Sequence, residues 1–585
     1  MAWSIISHHQ KLLDQERGTI VKDWGGKIPV ALAFANTYYA GMSNLGFHAV
    51  YGLFNAYDDV VCERFFLPEK KLMAEYGRTE TPLLSLESNR PMTDFELVAF
   101  SLSYENDYPN VLKILSMARL AWRSADREEG DPFILAGGIT VRLNPEPLAD
   151  FMDLILLGDG ELLVPDLLRV WREVRSEPLP KTERLLHLAR SMTGAYAPAF
   201  YEAALDSQGR LKAFEPIYEG LPAKVTTSRV PQLKKPALTT QILTSQTEFT
   251  STRLIEIGRG CGRGCRFCLA GFEYRPPRLL TAEDILDSLD TPLGPEPERV
   301  GLVGPAVGDH PEITEIVQAL TDQGREVTVS SLRVDMLNAE LVEALVRGGL
   351  KSIAIAPEVG SERMRAFINK GLSEAQILDG VQLLAEGGMK KVKLYFMIGL
   401  PTETVEDVRA ITDLVKKIKD RLLRHTRNKK LLPELTLTIS SFVPKASTPF
   451  QAAPMAEVKE LKTKIKIIRN GLRGIRGLRI HFDVPKWAYL QAILSRGDRR
   501  ISYLIEALVR REGNLNQARK EVSFNPDYFV TRSLAEDALF PWSFIDRGFF
   551  PDYFVQEMDR AQAGEYSAMC DPESCRRCGL CPPPA

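Results

Sequence analysis

Eight cysteines in 585 residues sort into two groups and a singleton, and their spacing is the first place where chemistry is legible. Cys261, Cys265 and Cys268 stand as Cys-x3-Cys-x2-Cys in Arg259-Gly-Cys-Gly-Arg-Gly-Cys-Arg-Phe-Cys268. A cubane [4Fe–4S] cluster has four irons, each wanting one ligand beyond its sulfides. Three thiolates in one loop hold three irons and leave the fourth open to another molecule. Glycines between the thiols let the backbone wrap the cluster without Cβ clashes. A structural zinc site wants a fourth ligand close by, usually in a second pair. None follows within the next turn, and His310 is far off in sequence.

The second group is Cys570-x4-Cys575-x2-Cys578-x2-Cys581. Zinc modules split their ligands into two pairs across a longer loop, whereas short, even steps are those of iron–sulfur loops. A second [4Fe–4S] cluster and zinc both stay open here. A fully ligated cluster has no free iron, which leaves it electron relay or structural closure. Cys62 alternates in a strand-like run and is expected to be a buried structural thiol. Cysteines clustered in this way point to metal binding rather than to disulfides.

Several elements must position these groups. Chain length implies about three to four domains. The net charge of −2 does not advertise nucleic acid or anionic membrane. No run of 18 apolar residues exists and the N-terminus lacks the pattern of a signal peptide, so a cytoplasmic protein without a membrane span is expected. Residues 1–20 read as a lead-in helix. Residues 21–175 alternate strand and helix: strands at 28–35, 58–65, 96–103, 132–138 and 153–158, with glycines just past their ends. That pattern predicts a Rossmann-like, doubly wound parallel sheet, whose glycine-edged strand ends are where such sheets bind ligands. Residues 176–245 read as a proline-punctuated connecting segment with mixed strands.

Residues 246–455 then give six βα units, a partial (βα)6 TIM-type barrel open on one side. Its strands are predicted at 254–257, 299–303, 326–330, 352–356, 391–398 and 434–440, with the cysteine loop after the first. Residues 456–560 read as a basic helical domain, and 561–585 as the cysteine tail. The fold class is therefore α/β with a helical C-terminal region and a Cys-rich tail. The cations Lys459, Lys462, Lys464, Lys466, Arg469, Arg473, Arg476, Arg479, Arg496, Arg499, Arg500, Arg510 and Arg511 have two readings, as do Lys416, Lys417, Lys419, Arg421, Arg424, Arg427, Lys429 and Lys430. They are solvated helix faces, or a rim favouring RNA, ribosome or a phosphorylated substrate.

With the strand ends in order behind the cysteine loop, the chain resembles the radical S-adenosylmethionine (SAM) superfamily. The branch it resembles carries an N-terminal cobalamin-binding-like domain and a C-terminal cysteine cluster. The resemblance implies that Cys261, Cys265 and Cys268 hold a [4Fe–4S] cluster whose open iron is chelated by SAM. One-electron reduction, by a donor such as flavodoxin or ferredoxin, then yields a 5′-deoxyadenosyl radical. It implies that Phe267 lies near the adenine, that Gly304 and Pro305 receive the amino group, and that Ser330 and Arg333 end the third strand. Glu358 would bind ribose or the amino group, and Ile398 and Gly399 the adenine. Glu358 alone also reads as a structural partner for Arg363 or Arg365. For cobalamin, the matching residues are Ser43, Asn44, Ser101, Ser103, Gly137, Gly138, Gly158 and Glu161.

One departure stands out. The usual cobalamin loop, Asp-x-His-x-x-Gly, has no histidine in its equivalent here, Ala40–Gly46, and His48 lies just beyond. Either cobalt is bound without a protein nitrogen or cobalamin has been lost from a domain kept for substrate binding or docking. The expected activity is cobalamin-dependent methyl transfer to an unactivated carbon. The alternatives are a cobalamin-independent radical SAM enzyme (sulfur insertion, rearrangement or RNA modification) and a non-catalytic iron–sulfur redox protein.

Overall fold

The computed structural model describes residues 3–289, 299–426, 433–534 and 538–581. Helix α1 (Trp3–Leu13) leads into β1 (Ile28–Phe34), a seven-residue apolar run in which every side chain is buried. A strand buried on both faces belongs inside a sheet covered on both sides by helices. The next elements build that sheet: α2 (Tyr38–Met42), α3 (Leu45–Asn55), β2 (Val60–Phe66), α4 (Lys70–Thr79), β3 (Leu97–Ser101), α5 (Tyr108–Met117), β4 (Phe133–Gly137), α6 (Ile139–Leu143), β5 (Leu154–Leu156) and α7 (Gly160–Val174). The spatial order is β2-β1-β3-β4-β5 and all these pairings are parallel. The chain order reverses between β1 and β3, the switch point at which such sheets open a crevice beyond their carboxyl ends. Cys62 is fully buried on β2, as expected of a structural thiol.

The connecting segment holds more than mixed strands. Helix α8 (Lys181–Ser191) buries Leu185, Leu188 and Ala189. Strand β6 (Ala195–Tyr196) then adds antiparallel to β5 and closes that edge of the sheet. The hairpin β7 (Tyr201–Leu205) and β8 (Leu211–Pro216) and the short β9 (Val225–Thr226) complete it. The helix was hidden because prolines before residue 181 read as a loop, whereas Pro180 here is its N-cap.

The second body starts at β10 (Arg253–Glu256), followed by the pair β11 (Gly258–Arg259) and β12 (Arg278–Leu279) that brackets the cysteine loop. Then come α9 (Ala282–Asp287), β13 (Arg299–Val303), α10 (Ile313–Asp322), β14 (Glu326–Val329), α11 (Ala339–Arg347), β15 (Ser352–Glu358), α12 (Glu362–Phe367), α13 (Glu374–Glu386), β16 (Lys391–Ile398), α14 (Val405–His425), β17 (Glu434–Ser441), α15 (Val458–Gly471) and β18 (Leu478–Phe482). The strands form two parallel sheets, β10-β13-β14 and β15-β16-β17-β18. A hydrogen bond from the Leu332 N–H to the Ala354 carbonyl, 3.0 Å, joins them.

Strand β18 extends the barrel beyond the six expected strands, into the stretch read as helical. Its sequence Leu-Arg-Ile-His-Phe alternates apolar and polar, the period-2 signal of a half-buried strand. One face of the four-stranded sheet (Val392, Leu394, Phe396, Leu435, Leu437, Ile439) packs in the core. The opposite face is polar and open: Lys393 and Tyr395 lie beside Thr436 and Thr438, which lie beside Arg479 and His481.

Helices α16 (Pro485–Arg496), α17 (Ile501–Arg510) and α18 (Leu515–Ala518) pack next, and β19 (Ile545–Asp546) pairs with β9. Helix α19 (Tyr553–Gln562) delivers the cysteine tail. Among the described residues, no helix is long and apolar enough to cross a membrane.

Candidate functional site

The cysteine loop folds back on itself through backbone bonds. The Cys261 N–H reaches the Ala270 carbonyl at 3.1 Å and the Cys268 N–H that of Cys265 at 2.9 Å. Arg263 anchors it with two 2.8 Å bonds to Asp309. Cys265 is buried, and Cys261 and Cys268 are half-buried. Burial pushes the Cys268 thiol up to about 12, and the neighbouring Cys265 adds to this. Burial raises Cys261 likewise. Thiols in this state become ligands only when metal replaces the proton. Among the described residues, no three His, Cys, Asp or Glu side chains gather around a single-ion site. A cubane asks for something different, one thiolate on each iron, and three soft donors in one hairpin suit that demand.

The strand ends named from the sequence surround this loop. Phe267 packs against the apolar cluster that includes Val359, Met397 and Leu400. The Ser330 hydroxyl donates to the Gly304 carbonyl at 3.1 Å. Arg333 is held by Asp335 and by the Lys370 carbonyl. Glu358 sits at a β-bulge with φ +67° and pairs with Lys370 at 3.1 Å. Its structural partner is therefore neither Arg363, which binds Asp407, nor Arg365, which caps the carbonyls of Leu372 and Gly360. The Ile398 carbonyl accepts from the Phe442 N–H, and the Gly399 N–H donates to Glu403 at 2.7 Å.

A cavity of about 470 Å³ opens at the other side of the loop, between the two sheets. It begins as an apolar slot between α3 and α7, lined by Val50, Leu53, Val164 and Leu167 over Leu32 and Leu135. At its mouth stand Asn44, Ser101, Ser103, Gly137, Gly138, Gly158 and Glu161 from the first sheet, facing Gly258, Arg259, Gly304 and Pro305 from the barrel. Gly138 must be glycine: its φ is +108°, and a Cβ would stand 2.3 Å from the Leu102 carbonyl oxygen. Ser43 is not among the lining residues, and its hydroxyl is engaged with the Tyr39 carbonyl and the Glu248 N–H. His48 is turned inward too. Its Nε2 meets the Met42 carbonyl at 2.9 Å, and burial lowers it to about 4. It is a packing residue, and no histidine lines the cavity.

Sequence reasoning missed the charges along the seam. Asp159 accepts from Arg142 at 2.7 Å and Arg278 at 3.1 Å, with Arg259 at 3.5 Å. Arg259 also bonds Glu161 in the first turn of α7 and Glu256 of the barrel. Glu273, just past the cysteines, binds Arg142 and Arg547. The signal was present in Arg259, two residues before Cys261, but a charge at a strand end names no partner until the domains meet.

Residues 46–198 match the model of radical SAM proteins, N-terminal, and residues 255–415 that of the radical SAM superfamily. An uncharacterized protein of Methanocaldococcus jannaschii, MJ0966, is 30% identical over 482 residues, which is 82% of this chain and 90% of that one. The chain belongs to the radical SAM superfamily. An uncharacterized methyltransferase of Pyrococcus horikoshii, PH0819, is 30% identical over 105 residues, 18% of this chain and 23% of that one. Among solved structures, the radical SAM methyltransferase TsrM of Kitasatospora setae aligns with TM-score 0.48 and 12% identity, over 84% of this chain and 99% of that one.

The basic stretches of this radical SAM protein are partly spent on internal pairs. Lys464 bonds Glu403 and Glu460, Arg499 bonds Glu146, and Arg510 and Arg511 bond Glu521. Arg496 is 1% exposed and bonds the Ala453 carbonyl. Arg427, Lys429 and Lys430 lie outside the described residues. The tail folds back over the cysteine loop, where the Cys570 N–H donates to the Gly262 carbonyl at 2.7 Å.

Proposed function

We propose that this radical SAM protein is a cobalamin-dependent methyltransferase acting at an unactivated carbon. The observation that carries the reading is the cavity: an apolar slot between α3 and α7 that continues to a polar, glycine-edged mouth against the barrel. Such a shape suits a ligand with a flat apolar end and a broad polar head, as a corrin with its nucleotide tail has. A methyltransferase name on the partial P. horikoshii relative points the same way. When bound, the cluster supplies one electron to SAM and the corrin carries the methyl group.

The chain's own residues hold, orient and shield. Cys261, Cys265 and Cys268 would hold the cluster, and Cys570, Cys575, Cys578 and Cys581 a second one or zinc. Phe267, Gly304, Pro305, Ser330, Arg333, Glu358, Ile398 and Gly399 would line the SAM site. Asn44, Ser101, Ser103, Gly137, Gly138, Gly158 and Glu161 would hold the corrin. The polar inner face around Lys393, Tyr395 and Thr438 offers the substrate a floor. A flavodoxin or ferredoxin would be the donor, in the cytoplasm.

The test is retention of corrin. Anaerobically reconstituted protein mixed with hydroxocobalamin should carry its visible spectrum through gel filtration. If no corrin travels with the protein, a cobalamin-independent radical reaction becomes the leading reading. The inward-facing His48, which leaves cobalt without a histidine, is the observation on that side. In either case, the triple change of Cys261, Cys265 and Cys268 to Ala should abolish production of 5′-deoxyadenosine under reductant.

A further inference from the structure

A closed (βα) barrel fills its interior with layers of bulky branched side chains. The strands here carry different residues on the faces turned away from the helices. In the first sheet one paired row is Leu254, Gly301 and Thr328. In the second sheet a row runs Ala354, Lys393, Thr436 and Arg479, and the next row towards the carboxyl ends is Tyr395, Thr438 and His481. Small side chains leave room, and the long ones are polar: Lys393, Tyr395, Arg479 and His481 are all exposed. The charge on this face is unbalanced. Lys391, Lys393 and Arg479 are cations, and His481 adds an imidazole. Glu434, in the row of Lys391, is the one carboxylate among the described residues of these rows, 3.5 Å from Lys391 and 3.8 Å from Arg479. The Lys393 ammonium makes no ion pair among the described residues. The carboxylates nearer the strand ends are already engaged, Glu358 with Lys370 and Asp483 with Ser441.

We propose that this face binds the anionic group, a carboxylate or a phosphate, of a small-molecule substrate, with Lys393 and Arg479 as its ligands. The inference rests on the methyltransferase reading given above and names the substrate class for it. Lys393 and Arg479 flank Thr436 on neighbouring strands, two strand spacings of about 4.8 Å apart, so an oxyanion over Thr436 is within reach of both side chains and of the threonine hydroxyl. An anion is the ligand that offsets Lys393, whereas a neutral or cationic molecule leaves its charge uncompensated. Position also bears on the length of the substrate. Met397, which packs in the cluster with Phe267 beside the cysteine loop, lies four residues beyond Lys393 on β16. At about 3.3 Å per residue, the anionic group is anchored about 13 Å along the strand from the end where the radical is made. Tyr395 and Thr438 floor the space between.

The test uses the full chain, reconstituted anaerobically, and two probes, inorganic phosphate and acetate, titrated by calorimetry at low ionic strength. Lys393→Gln and Arg479→Gln change exposed side chains, so both variants should keep the wild-type melting temperature. Lys71→Gln, on the exposed side of α4 in the first sheet's domain, is the control for charge alone. Wild type should bind a probe at one site per chain. The better probe should bind about tenfold more weakly in Lys393→Gln and in Arg479→Gln, and equally well in Lys71→Gln. Phosphate as the better probe assigns a phosphorylated substrate, and acetate a carboxylated one. Equal affinity in all four proteins would overturn the proposal, as would the absence of saturable binding by wild type at about 10 mM of either probe. Corrin retention is read separately on the same protein. Its loss counts against the methyltransferase reading, whereas corrin retained without anion binding removes this site alone.

Discussion

Asp159 lies at the seam between the two sheets with its side chain 3% exposed, and replacing it with Asn isolates a single buried charge. Burial alone would raise its carboxyl, but the guanidiniums of Arg142, Arg259 and Arg278 outweigh burial and hold it at about 2, below the ordinary 3.8. At about 1.4 kcal/mol per pH unit, that gap is worth about 2 kcal/mol at neutral pH. A depressed carboxyl contributes this stability in full above pH 3.8 and loses it as the pH falls through 2. In Asp159→Asn, Arg142 keeps Glu273 and Arg259 keeps Glu161 and Glu256. Arg278 keeps only its bond to the Val230 carbonyl, with its Nε and Nη2 already unpartnered. An uncompensated buried cation adds to the loss, so about 3 kcal/mol is expected. With a slope of about 2 kcal/mol per M, the urea midpoint of the first transition should fall by about 1.5 M at pH 7. The wild-type protein should also lose stability more steeply than the variant between pH 4 and pH 2. A midpoint shift under about 0.5 M, or equal acid limbs, would refute the account of the seam.

Three further outcomes follow from the same geometry. His48, lowered to about 4 from 6.5 by burial, stabilises the fold when neutral. That contribution is complete above pH 6.5 and is lost as the pH falls towards 4, at up to about 1.4 kcal/mol per pH unit, so His48→Gln should flatten the stability profile in this window. At Gly137 a Cβ would meet nothing within 4 Å, so Gly137→Val should leave the unfolding free energy within about 0.5 kcal/mol of wild type. The same change should weaken retention of hydroxocobalamin on gel filtration, since the added methyls enter the cavity mouth. Gly138→Ala, by contrast, should destabilise by about 2 kcal/mol or more in urea, because its left-handed backbone and the Leu102 carbonyl leave no room for a Cβ.

Local pattern made some features legible before any coordinates. Strand β1 is buried on both faces and its apolar run says so, and β13 and β16 begin and end where their periodicity ends. The glycine edge of the cavity was readable because glycines recur at strand ends, at Gly137, Gly138 and Gly158, whereas Ser101 was named only through the family resemblance. What escaped had no local mark. Strand β18 is five residues long inside a helical, basic stretch, and it acquires its identity only by pairing with β17. Ser43 sits in the right loop, yet the chain turns its hydroxyl to Tyr39 and Glu248. Glu358 was matched with arginines close to it in sequence, whereas the bulge swings it to Lys370.

The sequence by itself determined the donor chemistry. Three thiols spaced for a cluster with an open iron, four more near the C-terminus, and a sheet edged with glycine are all properties of residue type and spacing. Tertiary structure alone decided what those groups face. Strand order brings the glycine edge against Gly258 and Gly304, three arginines from distant segments converge on Asp159, and the tail comes to rest on Gly262. The physical reason is that spacing fixes which atoms a short loop can present, while contacts between segments far apart in sequence depend on how buried faces pack and how buried charges find partners.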